Sequence, residues 1–390
     1  MRNRVSLAFL LTLACACSSG SRDFNGGAVA PHELLTGGPL GQALDAPDLI
    51  ENEEVLAVSG EMRQFLDSNV HRKTSSQVKL RELIDAIIND GTFGLEFDGA
   101  TRTASETFRL RRGNCLSFSN MFIAMARHVG LEAHYQEVDI PPDWGFQDDV
   151  FILNRHVDVL LDLGSLGQHV VDFNINDLRT SYDTRTISDT RALAHYYNNI
   201  GVEHMQRGDT ASALGYFLRA LADNDRRFSP AWTNLGTLYL RNDYPEYAEA
   251  AYLQALRVDD KDFVAMSNLA NFYERWGDSL QAARYRKRVA RHRAQNPYFR
   301  FQRAREAFLA MDYDTAISHL KYAIRKNRNE DQFYFLLGMC YLQKGNEQAA
   351  RRWLARAEEV AATDVLKRRY SSKLEMLLSK MEAEKFSGSR

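Results

Sequence analysis

From about Ala194 to Asp364 the chain repeats itself at a period of about 34 residues, and nothing else in it constrains the fold as tightly. Gly201, Gly236, Ala270, Ala304 and Gly338 fall into register, and twelve positions after each come Ala213, Ala248, Ala282, Ala316 and Ala350. A second set of larger residues follows at Phe217, Tyr252, Arg286, Leu320 and Leu354, and then a small set at Ala220, Ala255, Val289, Ala323 and Ala357. Small residues at these intervals let the two helices of a unit approach closely, while the large ones fill the space toward the next unit. The third copy departs from the pattern at Arg286 and Val289.

The copy that reads "AWTNLGTLYL" and then "AEAAYLQAL" resembles the tetratricopeptide repeat. That resemblance implies an all-α solenoid of about five repeats over residues 194–364, with a concave face that takes a protein or peptide. Residues 365–390 would supply the polar-faced capping helix and tail that such an array needs. Arg284 to Arg305, "RYRKRVARHRAQNPYFRFQRAR", is strongly basic. A solvated face is the ordinary reading of such a run; a site for an acidic partner or an anionic surface is the other, and salt-sensitive binding would mark it.

The opening residues, "MRNRVSLAFLLTLACACSSGS", place Arg2 and Arg4 before an apolar run too short to cross a bilayer. Residues 1–17 read as an export signal whose end resembles the lipobox of bacterial lipoproteins, with Cys17 (or Cys15) as the acylated residue. The resemblance implies a lipid-anchored protein of the bacterial cell envelope, at the outer membrane facing the periplasm. Residues 18–50, rich in Gly, Ala, Pro and Ser, read as a flexible linker. The formal charge of −2 gives no electrostatic reason to expect nucleic acid. Of four cysteines, only Cys115 and Cys340 lie outside the signal. A bridge between them would join two different modules, so the expectation is two free thiols, Cys340 packed and inert on the first helix of the fifth repeat.

Residues 51–190 read as a separate α+β domain, helices first and an antiparallel meander second. "TSSQVKLRELIDAIINDG" puts Leu80, Leu83, Ile84, Ile87 and Ile88 on one helical stripe. Thr103 and Glu106 form a candidate capping box. A helix starting at Cys115 turns Phe118, Phe122, Met125 and Val129 inward and ends at Gly130. Strand-like runs follow in "LEAHYQEVD", "DVFIL", "RHVDVLLDL" and "QHVVDFN". A thiol in the first turn of a helix is biased toward the thiolate by unpaired amides and the helix dipole. Chemistry also needs a base and a group to orient it, and His156 and Asp172 lie on successive strand-like runs that antiparallel pairing could bring together.

Cysteine at a helix start, histidine on one strand and aspartate on the next, with "GNCLSFSNMFIAMARHVGLEAHYQEV" around the thiol, resembles the transglutaminase-like superfamily, related to papain-type peptidases. The likeness covers roughly Ser75 to Asn174. It implies that Cys115 attacks an amide carbonyl, His156 moves the proton, Asp172 holds the imidazole, and a thioester passes to water or to an amine. It departs at Val157 and at Phe173-Asn174, where many relatives carry aromatic and proline residues. No cofactor or metal is implied; His128 and His134 read as surface or packing residues, and Trp144 as packing or the wall of a cleft. The other reading of the chain is a catalytically inactive repeat lipoprotein that serves as an adaptor in an envelope assembly.

Overall fold

The computed structural model describes residues 29–43, 53–89, 93–138, 146–147, 150–151, 156–173, 184–222 and 226–361, with short stretches at 367–368, 370–372 and 375–376. Cys15, Cys17 and Trp144 lie outside the described residues, as does most of the expected capping segment. Where that segment is described it is helical, and Tyr370 donates a hydrogen bond to Asp331 at 3.0 Å.

Two short helices come first, α1 (Pro31–Leu35) and α2 (Gly38–Ala43). They fall where the sequence reads as flexible linker, and they correct that expectation for residues 31–43. Leu34 and Leu40 are buried, and the Tyr239 hydroxyl donates to the Leu34 carbonyl at 3.0 Å. A few leucines set among glycines are enough to dock this segment on the repeat array.

In the domain that follows, α3 (Gly60–Asn69), α4 (Ser76–Ile84), α5 (Ala104–Leu110) and α6 (Cys115–His128) start on Ser59, Ser75, Thr103 and Asn114, each side chain accepting an amide of its own first turn. Thr103 and Glu106 form the expected capping box. A π-turn at Asp85–Asn89 continues α4. It shifts the helical phase, so Leu80, Leu83 and Ile87 are buried while Ile88, expected on the same stripe, faces solvent.

Two short strands, β1 (Glu96–Phe97) and β2 (Arg112–Gly113), pair in parallel ahead of the thiol. The main sheet holds β3 (Glu132–Val138), β6 (His156–Asp162), β7 (Gln168–Val171) and β8 (Thr184–Ile187) in the order β7-β6-β3-β8, all antiparallel. Of the run "DVFIL" only Val150 and Phe151 are described; they form β5 (Val150–Phe151), which among the described residues pairs with β4 (Phe146–Gln147) and not with the main sheet. The fourth strand of the sheet is β8, a short segment with little apolar alternation.

Ten helices follow as five antiparallel pairs: α7 (Asp189–Gln206) with α8 (Thr210–Ala222), α9 (Ser229–Arg241) with α10 (Pro245–Val258), α11 (Phe263–Arg275) with α12 (Ser279–Gln295), α13 (Pro297–Leu309) with α14 (Tyr313–Lys326), and α15 (Asp331–Gln343) with α16 (Glu347–Val360). The recurring small residues sit at the crossings. A Cβ on Gly236 would lie 2.8 Å from the Tyr252 ring, so only glycine allows that contact. In the third pair Arg286 stays outside, bonded to Glu274 at 2.9 Å, and Tyr285 takes the interior, stacked on Tyr273. Much of the basic run is held locally: Arg288 donates to the Asp260 carbonyl, Arg300 to the Ala294 carbonyl and Arg303 to Glu306.

Helix α7 serves both modules. Glu137 on β3 is buried and bonded by Arg191 and His195 of α7 and by Arg185 of β8. Burial alone would raise its carboxyl, but His195 and Arg191 outweigh that and hold it well below the usual carboxylate range. Arg127 at the end of α6 grips Asp189 through two hydrogen bonds of 2.6 and 2.8 Å. One apolar core runs without a break from Leu34 through the sheet to Val289 in the third pair, and a separate core begins at Phe301.

Candidate active site

Cys115 is the first residue of α6, free and half-buried. Its position is set from three sides. Asn114 caps the helix by accepting the Ser117 amide at 2.9 Å and donates from Nδ2 to the Thr101 hydroxyl at 2.8 Å. Gly113 lets the chain pass close beneath the helix, because a Cβ there would meet the Ser117 Cβ at 2.5 Å. Ser119, one turn on, donates to the Val157 carbonyl at 3.1 Å and so ties α6 to β6 beside His156. Behind these polar pins, Met121, Phe122, Val157 and Val159 share one core.

His156 opens β6 and is 8% exposed. Its Nε2 lies 2.8 Å from Asp172 Oδ1, just past the end of β7. The Cys115 side chain also lies near enough to the imidazole to act on its charge. Burial alone would lower its pKa. The hydrogen bond to Asp172, with the influence of the Cys115 side chain and the charges of both, outweighs burial and holds the imidazole up to about 10. Phe173 turns the other way and packs on Phe118 and Phe122 of α6, which anchors the residue next to Asp172. Of the three residues expected from sequence, His156 and Asp172 are thus joined by a hydrogen bond, and Cys115 is near enough to influence the imidazole. Such a row can hold a proton on the imidazole and leave the sulfur nucleophilic. As the first amide of α6, the Cys115 N–H has no partner within the helix and is a candidate donor to an oxyanion.

His128 and His134 stand apart, beside Arg72 and Glu132 respectively. Among the described residues no group of three or more His, Cys, Asp or Glu side chains could hold a metal ion, and no helix is long and apolar enough to cross a membrane.

Sequence reasoning missed Asp158. It sits two residues beyond His156 on β6, is 4% exposed, and continues the β6–β7 register to lie opposite Asp172. Its neighbour on β3 is Gln136, also buried. The two-residue spacing from His156 was a usable signal, since alternate residues of a strand share a face. The pairing with Asp172 was not, because it depends on the register of a turn.

The transglutaminase-like superfamily model matches residues 63–158, a span that includes Cys115 and His156 and stops before Asp172. Tetratricopeptide repeat models match residues 198–263 and 307–366. Anaphase-promoting complex subunit 3 of Schizosaccharomyces pombe is 24% identical over 166 residues, which are 43% of this chain and 25% of that protein. Solved structures with some likeness include the MamA protein, with 18% identity, 43% of this chain and 91% of that chain covered, and a TM-score of 0.24. Another is YrrB, described as a TPR protein with an unusual peptide-binding site, with 18% identity, 46% and 92% covered, and a TM-score of 0.24. The Cut9-Hcn1 hetero-tetramer of the APC/C shows 19% identity, 48% and 37% covered, and a TM-score of 0.26. The chain therefore joins a transglutaminase-like domain of mixed α/β structure to an all-α array of tetratricopeptide repeats.

Proposed function

We propose that the protein is an envelope-anchored cysteine enzyme that acts on amide bonds of a protein or peptide through a thioester, with the repeat array binding the partner or substrate. The observation that carries this reading is the 2.8 Å bond between His156 and Asp172, on an imidazole that the Cys115 side chain also influences. The His156 imidazole is held protonated well above neutral pH, and the sulfur reacts as the thiolate. The sulfur attacks the amide carbonyl carbon, and the C–N bond breaks as His156 gives its proton to the leaving amine. His156, now neutral, then takes a proton from water or from an acceptor amine as that nucleophile displaces the sulfur. Hydrolysis or acyl transfer results, according to whether water reaches the thioester. The grip of α7 on Glu137, one residue before the Val138 that pairs with His156, gives the array a rigid seat beside the site.

The test is a covalent adduct. Incubation with amide-bearing peptides, quenching in acid and intact-mass analysis should reveal an acyl group on the wild-type chain and none on Cys115→Ala. Added hydroxylamine should release the acyl group as a hydroxamate. An adduct that persists in Cys115→Ala, or none on either protein across a broad peptide set, would favour the adaptor reading, in which the array docks a partner and the thiol does no chemistry.

A further inference from the structure

Asp158 has no role in the chemistry above, and its surroundings are unusual for a carboxyl group. It is buried to 4% exposure, and among the described residues no donor reaches its Oδ1. An ionised carboxylate so placed is costly unless it is compensated. The groups facing it come from every neighbouring element. His156 is on its own strand, Asp172 lies across from it past the end of β7, Gln136 pairs with it from β3, and Cys115 of α6 lies beyond His156. Glu137, next to Gln136, is turned away into Arg191 and His195 of α7 and Arg185 of β8. Among the described residues, the positive group that acts on it is His156, which Asp172 already holds.

We propose that Asp158 is a positioning residue that sets the charge of the Cys115–His156–Asp172 row: protonated it is silent, and ionised it places a second negative charge beside the imidazole and the sulfur. Burial, and then the charge of Asp172, push its carboxyl up to about 7, with His156 partly offsetting them. The switch thus falls near neutral pH. Above it, the added charge holds His156 more firmly as imidazolium and makes the surroundings of the sulfur more negative. Below it, Asp172 alone governs the imidazole. The inference rests on the reading of Cys115 as the nucleophile, and its test separates the two.

Alkylation of Cys115 in the full chain is followed by mass spectrometry with neutral iodoacetamide and anionic iodoacetate, from about pH 5 to about pH 9. A negative charge that appears near the sulfur repels only the anion. The iodoacetate-to-iodoacetamide rate ratio in the wild type should fall about threefold as pH rises through about 7, and Asp158→Asn, which keeps the shape and removes the titration, should show no such step. A step of the same size in Asp158→Asn, or a flat ratio in the wild type, overturns the proposal. Should Asp158→Asn fail to fold, carbon-13 NMR of the aspartate carboxyls in the wild type decides. One carboxyl titrating near pH 7 supports the assignment, and a set that has finished titrating by about pH 5 overturns it. If Cys115 reacts no faster than an ordinary free thiol while the step is present, the nucleophile reading fails and the Asp158 assignment stands. A thiol reactive at low pH with no step gives the reverse.

Discussion

Cys115 and Cys340 are both free, both on helices, and chemically identical when unfolded, yet the fold puts them in opposite states. Cys340 lies in the last turn of α15 with no solvent exposure, in the core formed by Phe301, Leu320, Phe333 and Leu337. Burial pushes its thiol up to about 12, so it stays protonated and packs as a small apolar group. Cys115 stands at the first residue of α6, half-buried, near an imidazole that Asp172 helps to keep protonated. Residue type does not separate the two. Position along the helix, access to solvent and one neighbouring base do.

The largest expected effect of this difference is on reaction rate. In the folded protein at neutral pH, iodoacetamide should modify Cys115 at least about a thousandfold faster than Cys340, and denaturant should make the two rates equal. Peptide mapping of a time course checks this; comparable labelling in the native state would break the contrast. A smaller effect appears in stability and has the opposite order. Cys340→Ser puts a hydroxyl into an apolar core and should cost about 1–2 kcal/mol in urea unfolding, while Cys115→Ser should stay within about 0.5 kcal/mol. A larger loss at Cys115 would mean that its thiol is a packing element.

The parts of this molecule legible in the sequence are those encoded over short distances. The repeat array shows in its period, and the start of α6 shows because Asn114 caps it locally, accepting the Ser117 amide. The order of Cys115, His156 and Asp172 was readable from their pattern, though their approach depends on the antiparallel pairing of β6 with β7. What escaped depends on tertiary register. Asp158 gains its meaning only from Asp172 across the sheet. Ile88 is turned outward by a π-turn that no propensity marks. Tyr285 replaces Arg286 in the third repeat because burying one residue along the helix keeps a guanidinium in solvent. The docking of α1 needs Tyr239, some two hundred residues away, to receive it. The same holds for Glu137, an ordinary strand carboxylate in sequence and, in the fold, the point where α7 seizes the sheet.

The most direct test of the central claim, that Cys115 owes its reactivity to His156, is its alkylation rate by iodoacetamide at about pH 6 in the wild type and in His156→Gln. Because the imidazole stays protonated up to about 10, a positive charge lies near the sulfur, and the wild-type rate at that pH should exceed that of an ordinary free thiol. The His156→Gln rate should fall at least about tenfold and recover only in alkali, as the unassisted thiol ionises. Equal rates in the two proteins across that range would show that the histidine does not control the sulfur.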